Sequence, residues 1–428
     1  MERVVLRGGR IIDPSQDMEG LYDIFIMGGR VASIKPAEEG SPVGEGWLEY
    51  DCKGLVVAPG FVDLHTHLRE PGEEYKETIK TGTLAAAAGG FTTILCMANT
   101  TPPNDSEAVT RFIKKRAEEE GTVKVHPVGA ITKGLEGKEL TEMAELKEAG
   151  CVAVSDDGRP LMNTSLMRRA LEYAGGLGLT VISHCEDIYL KEDGVMNEGF
   201  EATRLGLKGI PAQVESIMIA RDIELCELTG SRLHIAHVST RRGVELIRDA
   251  KRRGVNVTAE ATPHHLLLTD RMVGYDTDFK MNPPLRTEED VEALREALKD
   301  GTIDCVATDH APHSSIEKDV EFDMAKDGVV GLETAFGVLM RLVHEGVLTL
   351  KELVRLLSTE PAKLMGLQAG SLSVGSPADV VVIDTEREWT VEPETFRSLS
   401  RNTPFKGWTL KGRVVRTFVD GRVVYEEE

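Results

Sequence analysis

The stretch GFVDLHTHLREPG, residues 60–72, is an apolar, strand-like run that ends in alternating polar side chains. His65, His67 and Arg69 occupy every second position, and side chains two residues apart on a strand point to the same face. Two imidazoles and one guanidinium on one face are expected either on a polar surface or on the wall of a binding site. The rest of the chain decides between these two interpretations.

Residues 60–72 begin a series of eight similar runs, which alternate with helical patterns as far as residue 361. Gly230 and Gly301 are predicted to end two of these helices. Eight strand and helix units over about 300 residues are the count and length of a (β/α)8 TIM barrel. An open doubly wound α/β sheet is the alternative, but no GxGxxG motif follows the first run. The later runs are FTTILCMAN (91–99), VKVHPVGA (123–130), CVAVSDDG (151–158), LTVISHCED (179–187), RLHIAHVS (232–239), NVTAEATPHH (256–265) and IDCVATDHAPH (303–313).

The two ends of the chain have an all-β pattern. VVLRGGRIID (4–13) and IFIMGGRVASI (24–34) are typical of two strands joined by a turn at paired glycines, and similar patterns return after residue 370. We therefore expect residues 1–56 and 362–428 to fold together as a small β-sandwich domain. The TIM-barrel catalytic domain, residues 57–361, would be inserted between them.

The composition excludes several classes of partner. A formal net charge of −21 disfavours nucleic acid and anionic membranes. The amino terminus has no apolar stretch of signal length, and no run approaches the roughly 18 apolar residues of a membrane helix. The six cysteines form no CxxC pair, which is typical of buried free thiols in a reducing compartment. These features predict a cytoplasmic protein.

Polar side chains end several of the predicted strands. In a TIM barrel the carboxyl ends of all strands meet at one rim, where the chemistry takes place. Imidazole and carboxylate groups are ligands of zinc and other divalent ions, and this set exceeds what one tetrahedral ion uses. A single histidine or aspartate at a strand end is more often a hydrogen-bonding residue, but convergence favours a centre of one or two ions, two being preferred. The residues are His65, His67, Asp156, Asp157, His184, His237 and Asp309.

Several motifs resemble the dihydroorotases of the amidohydrolase superfamily, in particular the longer bacterial class (type I). They are DLHTHLREPG, SDDG, SHCED, IAHVS, TPHHL, MNPPLR and ATDHAPH, the last followed by Glu317 and Lys318, and the resemblance extends over essentially the whole chain. It implies a zinc-dependent cyclic amide hydrolase that interconverts N-carbamoyl-L-aspartate and L-dihydroorotate in pyrimidine (UMP) biosynthesis.

The resemblance also implies a role for each metal-ligating residue. His65 and His67 would hold the more buried ion, His184 and His237 the second. Asp309 would bind the first ion and move the proton as the catalytic acid and base. Many superfamily members bridge two ions with a carboxylated lysine after strand four, where this chain has SDDG.

We expect Asp157 to replace that lysine. Asp156 is the weaker candidate, because adjacent residues on a strand face opposite sides. An aspartate is shorter than a carboxylated lysine, so a single zinc ion remains the alternative to two.

The substrate contacts are predicted from a donor cluster formed by Arg69, Asn99 and His313. An arginine suits the carboxylate of dihydroorotate, whereas a rim ion pair with Glu70 or Glu73 is the alternative for Arg69. By resemblance, Asn282 contacts the substrate ring.

The sequence is also compatible with two other functions. One is a hydantoinase or allantoinase, and the other is a non-catalytic barrel that assembles aspartate carbamoyltransferase. The sequence therefore leaves two macromolecular partners open. They are aspartate carbamoyltransferase and a second copy of the chain, in a homodimer.

Two further features of the sequence lead to predictions. His234 has the opposite strand parity to His237, so we expect it to face the helices. The charged stretch SSIEKDVEFDMAKDGVVGLE (314–333) either closes over the substrate or is an ordinary solvated connection.

Overall fold

The structure, a computed structural model, describes residues 3–37, 44 and 46–427. Most of these residues lie in a parallel barrel and in a second sheet built from both chain ends. The strands are β1 (Arg3–Asp13), β2 (Met18–Met27), β3 (Arg30–Pro36), β4 (Leu48–Asp51), β5 (Val56–Pro59), β6 (Phe61–Thr66), β7 (Phe91–Cys96), β8 (Lys124–Gly129), β9 (Ala153–Val154), β10 (Thr180–Ser183), β11 (Met196–Asn197), β12 (Gly209–Ile210), β13 (Leu233–Ile235), β14 (Val257–Ala261), β15 (Cys305–Val306), β16 (Val380–Thr390), β17 (Thr409–Val419) and β18 (Arg422–Glu426).

Helices follow most of the barrel strands, and Gly230 and Gly301 end two of them with φ of 66° and 76°, as predicted. No helix in the described part of the chain is long and apolar enough to cross a membrane. The α-helices are α1 (Ile79–Ala88), α2 (Glu107–Glu120), α3 (Met143–Ala149), α4 (Thr164–Leu177), α5 (Ile188–Lys191), α6 (Phe200–Leu205), α7 (Gln213–Thr229), α8 (Arg241–Arg252), α9 (Pro263–Leu267), α10 (Glu288–Asp300), α11 (Ser315–Lys318), α12 (Ala335–His344), α13 (Leu350–Val354) and α14 (Glu360–Leu364).

The eight predicted barrel strands are confirmed. They form one parallel sheet in the order β15, β14, β13, β10, β9, β8, β7, β6, with each strand next to its neighbour in the βα series. The sheet is nearly closed, because Thr66 at the end of β6 pairs with His310 after β15, and the His67 N–H donates to the His310 carbonyl at 2.8 Å. Closure places every carboxyl strand end at one rim.

Apolar residues lie on both faces of the barrel strands. Val62, Leu64 and Ile182 belong to a buried cluster inside the barrel. The alternate residues, among them Phe61 and Val181, pack in a larger cluster that includes the apolar faces of the helices. Burial on both faces explains why these strands read as continuous apolar runs rather than as alternating ones.

The two chain ends share one mostly antiparallel sheet, as expected from their all-β patterns. Its order is β18, β17, β16, β5, β1, β2, β3, and β4 pairs with β1. One detail of the prediction is wrong: residues 4–13 are not two strands joined by a turn. They form the single strand β1, in which Gly8 (φ 66°) and Gly9 create a bulge. A glycine pair supplies a bulge as readily as a turn, because both need a positive φ.

The Asp63 carboxylate ties the first barrel strand to the last. It is fully buried, and it accepts hydrogen bonds from the Thr308 N–H at 3.0 Å and from the Thr308 hydroxyl at 2.5 Å. A third donor is the N–H of His65 at 3.1 Å. The barrel seam beside the rim therefore depends on one buried acceptor.

Replacing this acceptor should destabilise the fold. In Asp63→Ala three buried donors lose their partner, and we expect the free energy of unfolding to fall by about 3 kcal/mol or more. Denaturant titration measures the change, with Glu148→Ala, an exposed position on α3, as the control. Equal stability of the two variants would contradict the role of Asp63 at the seam.

Candidate metal centre

The carboxyl ends of the barrel strands surround a cavity of about 250 Å³. His65, in β6, is fully buried and contacts two of the carboxylates that line the cavity. The structure brings all ten predicted site residues to this one place. Those that line the cavity are His67, Arg69, Asn99, Asp157, His184, His237, Asn282, Asp309 and His313.

Three of these residues have unusual backbone conformations. Arg69, His237 and Asp309 have φ of 58°, 30° and 47°. Such values cost a non-glycine residue about 1–3 kcal/mol each, and they concentrate at functional sites where the surrounding structure imposes them. All three follow the end of a barrel strand, where the chain leaves its regular extended path. Their side chains consequently escape the simple alternation of a strand.

The first group of ligand atoms surrounds the Asp157 and Asp309 carboxylates. His65 Nε2 lies 3.3 Å from Asp157 Oδ1 and 3.5 Å from Asp309 Oδ1. His67 Nε2 lies 3.0 Å from Asp309 Oδ1 and 3.6 Å from Asp157 Oδ2. Both imidazoles therefore present Nε2 to the same pair of carboxylates.

The second group shares Asp157 with the first. His184 Nδ1 and His237 Nε2 lie 3.6 Å and 3.7 Å from Asp157 Oδ1, and 2.8 Å from each other. Asp157 thus stands between two pairs of histidines. Although burial alone would raise the pKa of the Asp157 carboxyl, the surrounding imidazoles, His65 foremost, hold it well below its usual range.

These residues fit divalent metal ions. His65, His67 and Asp157 form one buried set with ligand atoms within 4.8 Å of one another, and Asp157, His184 and His237 form another. Two of the buried atoms, His65 Nε2 and Asp157 Oδ1, have no hydrogen-bond partner among the described residues. Buried polar atoms are nearly always satisfied, so an unsatisfied nitrogen and oxygen facing each other are typical of a metal site. The donor set of imidazole and carboxylate suits zinc and related ions.

The neighbouring Asp156 is directed away from these histidines. Its carboxylate accepts the N–H groups of Ile131 and Thr132 at 2.7 Å and 3.0 Å and the Thr132 hydroxyl at 2.5 Å. The alternation along the strand is therefore followed at this point, with Asp157 towards the cavity. The bridging role of Asp157 stays a prediction.

Glu260, in β14, is a residue that the sequence reasoning missed. Its carboxylate is fully buried, and Oε1 lies 2.8 Å from His65 Nδ1, while Oε2 lies 3.1 Å from His234 Nε2. A carboxylate that accepts the Nδ1 proton leaves Nε2 of His65 unprotonated and directed at the centre, as a metal ligand requires. The available signal was an acidic residue between alanines in an otherwise apolar run.

The expectation that His234 faces the helices is wrong. His234 is fully buried, and it contacts Glu260 and lies near Cys305, which belongs to the cluster inside the barrel. The parity argument fails because β13 ends at Ile235 and the backbone of His237 has a positive φ. His234 and His237 therefore both lie on the barrel side.

Asn99 and Asn282 lie against the histidines. Asn99 Oδ1 is 2.9 Å from His67 Nδ1, and the Asn99 amide nitrogen is 3.4 Å from the Asp157 carboxylate. Asn282 Nδ2 is 3.4 Å from His184 Nε2. Asn99 consequently orients His67 in the way that Glu260 orients His65, a contact that the sequence did not reveal.

Arg69 is a buried cation at the edge of the cavity. Its Nε donates to the Pro312 carbonyl at 3.2 Å. In residues 3–37, 44 and 46–427, no carboxylate oxygen forms an ion pair with it. The predicted alternative, a rim ion pair, is not formed, because Glu70 pairs with Arg116 and Glu73 with Lys76. A guanidinium without a counterion lies open to an anion beside the candidate metal centre.

Comparisons with known proteins define the class. A model described as dihydro-orotase-like matches residues 54–243, and an amidohydrolase family model matches residues 224–425. The solved L-hydantoinase (dihydropyrimidinase) of Arthrobacter aurescens is similar over all of this chain and 96% of its own, with 29% identity and a TM-score of 0.89. A D-hydantoinase structure has a TM-score of 0.87 at 25% identity, over 99% of this chain and 95% of its own. The chain is a metal-dependent hydrolase of the amidohydrolase superfamily.

Curated relatives narrow this class. A dihydroorotase of Anaeromyxobacter dehalogenans is 56% identical over 99% of this chain and 98% of its own. Dihydroorotases of Syntrophus aciditrophicus and Geobacter metallireducens are 53% and 55% identical, over 100% and 99% of both chains. The chain belongs to the dihydroorotase family.

Loss of the Glu260 carboxylate should weaken metal retention. In Glu260→Gln the side chain keeps its size but no longer offers acceptors to both imidazoles, so we expect metal affinity to fall by roughly 10-fold to 100-fold. Competition with a chelator, followed by metal analysis, measures this without reference to activity. The matched control is Glu224→Gln, at an exposed position of α7. Unchanged retention in a folded Glu260→Gln protein would disprove the orienting role.

Proposed function

We propose that the chain catalyses the reversible ring closure of N-carbamoyl-L-aspartate to L-dihydroorotate, a step of pyrimidine biosynthesis. Membership of the dihydroorotase family supports this reaction. The observation that carries the choice of substrate is the buried Arg69 guanidinium, which has no carboxylate partner within the described ranges and lines the same cavity as Asp157. We further propose that residues 57–361 form the catalytic domain.

In this proposal Arg69 binds the carboxylate of the substrate. A guanidinium offers two parallel N–H donors that match the two oxygens of a carboxylate. His313 lies next to Arg69, with its Nε2 3.4 Å from an Arg69 terminal nitrogen. Burial, together with the positive charge of Arg69, lowers the pKa of His313 to about 2, so this imidazole is neutral at physiological pH. Asn99 and Asn282, which line the same cavity, would complete the substrate contacts.

We propose zinc as the metal, with two ions preferred. His65, His67 and Asp309 would hold one ion, His184 and His237 the other, and Asp157 would lie between them. Divalent ions bound there supply Lewis acidity, which polarises a carbonyl and lowers the pKa of water to about 7. The imidazoles and carboxylates present in the structure support this assignment through their ligand chemistry.

Asp309 is proposed to move the proton. Its carboxylate lies at the cavity wall, close to Nε2 of both His65 and His67. In hydrolysis it would accept the proton of the attacking water and pass it to the ring nitrogen that leaves. In ring closure the same carboxylate would take the proton from the carbamoyl nitrogen as that nitrogen attacks the side-chain carboxyl carbon of the substrate, and would pass it to the oxygen that leaves as water. Nearby imidazoles lower the pKa of Asp309 although burial acts in the opposite direction, which keeps the carboxylate ready to accept a proton.

Metal removal should abolish the reaction. We expect dihydroorotate hydrolysis to disappear after treatment with a chelator and to return on addition of zinc, with two ions bound per chain by elemental analysis. One ion per chain with full activity would contradict a bridging Asp157. Hydrolysis that persists after complete removal of the metal would contradict the proposed chemistry.

Arg69 should determine the preference for a charged substrate. In Arg69→Gln the charge-assisted hydrogen bonds to the substrate carboxylate are lost, and we expect kcat/KM for dihydroorotate to fall by roughly 10-fold to 100-fold. Hydrolysis of hydantoin, which has no carboxylate, should change little. Arg169→Gln, an exposed position on α4, is the control. A wild-type protein that prefers hydantoin would favour the hydantoinase alternative, which rests on the likeness to solved hydantoinases.

A homodimer and an association with aspartate carbamoyltransferase stay predictions. Light scattering of the purified chain, alone and mixed with a transcarbamoylase, would decide both.

A further inference from the structure

Two lysines are buried against the segment that follows the last barrel strand. Lys318, at the end of α11, is 6% exposed, and Lys280, which follows β14 in the chain, is 5% exposed. Lysine is almost never buried unless its ammonium group is paired. Both side chains lie against residues 319–328, a segment that we name the rim loop. The rim loop follows the last barrel strand and contributes Lys326, Asp327 and Gly328 to the cavity lining.

The Lys318 ammonium is satisfied entirely by backbone carbonyls. Its Nζ donates to the carbonyls of Lys280 at 3.3 Å, Lys326 at 3.0 Å and Gly328 at 3.2 Å. An ammonium group has three N–H donors, so its capacity is fully used. Two of the three acceptors belong to the rim loop, and the third belongs to the segment that leads to Asn282.

The Lys280 ammonium holds an earlier part of the same loop. Its Nζ donates to the carbonyls of Asp323 at 2.9 Å and Ala325 at 2.7 Å. The Lys280 carbonyl also accepts the N–H of Gly328 at 3.0 Å. Four rim-loop carbonyls therefore point at two cations, which is stronger anchoring than an ordinary solvated connection needs.

The anchored loop contacts His313. The Asp327 carbonyl lies 2.8 Å from His313 Nε2, and since a carbonyl only accepts, Nε2 carries the proton. Arg69 also presents a donor to Nε2, so that 3.4 Å contact is not a hydrogen bond. Gly328 packs so tightly that a Cβ on it would lie 2.8 Å from Ala311 and 3.1 Å from the His313 ring. A displacement of the loop would therefore move or rotate the imidazole.

We propose that Lys318 is a positioning residue for substrate binding, which fixes the rim loop so that the Asp327 carbonyl orients His313 at the cavity. Lys280 has the same role on the other side of the loop. The proposal rests on the proposed function, because it assigns His313 to the substrate. Lys318 itself does not contact the reacting atoms.

The test compares Lys318→Met with the wild type, using the metal-loaded full-length chain. Loss of the cation should raise hydrogen exchange in residues 319–328 and raise KM for dihydroorotate by about tenfold, with a smaller change in kcat. Metal content should not change, because Lys318 contacts no candidate ligand. Lys299→Met, an exposed position at the end of α10, is the matched control and should behave like the wild type.

A double-mutant cycle tests the route through His313. If Lys318 acts through this imidazole, Lys318→Met should change KM little once His313→Ala is present. Full additivity of the two effects on KM would overturn the proposal, and so would faster exchange in the rim loop without a change in KM. If Lys318→Met does not fold, Lys318→Gln decides the same points, because its shorter, neutral side chain also removes the cation but leaves polar atoms in the buried site.

The exchange measurement separates this proposal from the proposed function. A wild-type chain that does not convert dihydroorotate would disprove the substrate assignment. Unchanged exchange in residues 319–328 of Lys318→Met would disprove the anchoring whatever the substrate is.

Discussion

Closing a parallel barrel buries the polar side chains at its rim, and most of the surrounding structure follows from the need to satisfy them. The Asp63 carboxylate accepts three hydrogen bonds, two of them from Thr308 across the seam between the first and last strands. Glu260 and Asn99 hold the outer nitrogens of His65 and His67. Because these hydrogen bonds fix Nδ1 of each imidazole, Nε2 of each is directed at the candidate metal centre.

The same constraint explains the electrostatic character of the cavity. A chain with a net charge of −21 repels an anion at long range. The cavity counters this locally with Arg69, a buried guanidinium that has no counterion among the described residues. Its nearest acidic neighbours in the sequence, Glu70 and Glu73, are already paired with Arg116 and Lys76. Sequestering those carboxylates keeps Arg69 available for a charged substrate.

Much of the site could be predicted because strand parity and rim position are simple rules. The choice of Asp157 over Asp156 as the residue facing the cavity follows from a period of two in an extended chain. His65, His67 and Arg69 also meet at the cavity as predicted, although the register shifts after Asp63 and Arg69 has a positive φ. The rule failed at His234, because β13 ends at Ile235 and the backbone has a positive φ at His237, which brings both histidines to the barrel side. The rule also gave no prediction for Glu260, because the role of this carboxylate depends on which side chain it contacts across the barrel.

The sequence by itself determined the eight strand and helix units, the all-β ends and the residue types of the site, because these depend on local periodicity and on chemistry carried by single residues. Only the tertiary structure decided the partners: Glu260 for His65, Asp63 for Thr308, and Lys280 for the rim loop. These contacts join residues far apart in the chain. No local pattern encodes them, since a buried charge finds its partner only when the strands and loops have closed around it.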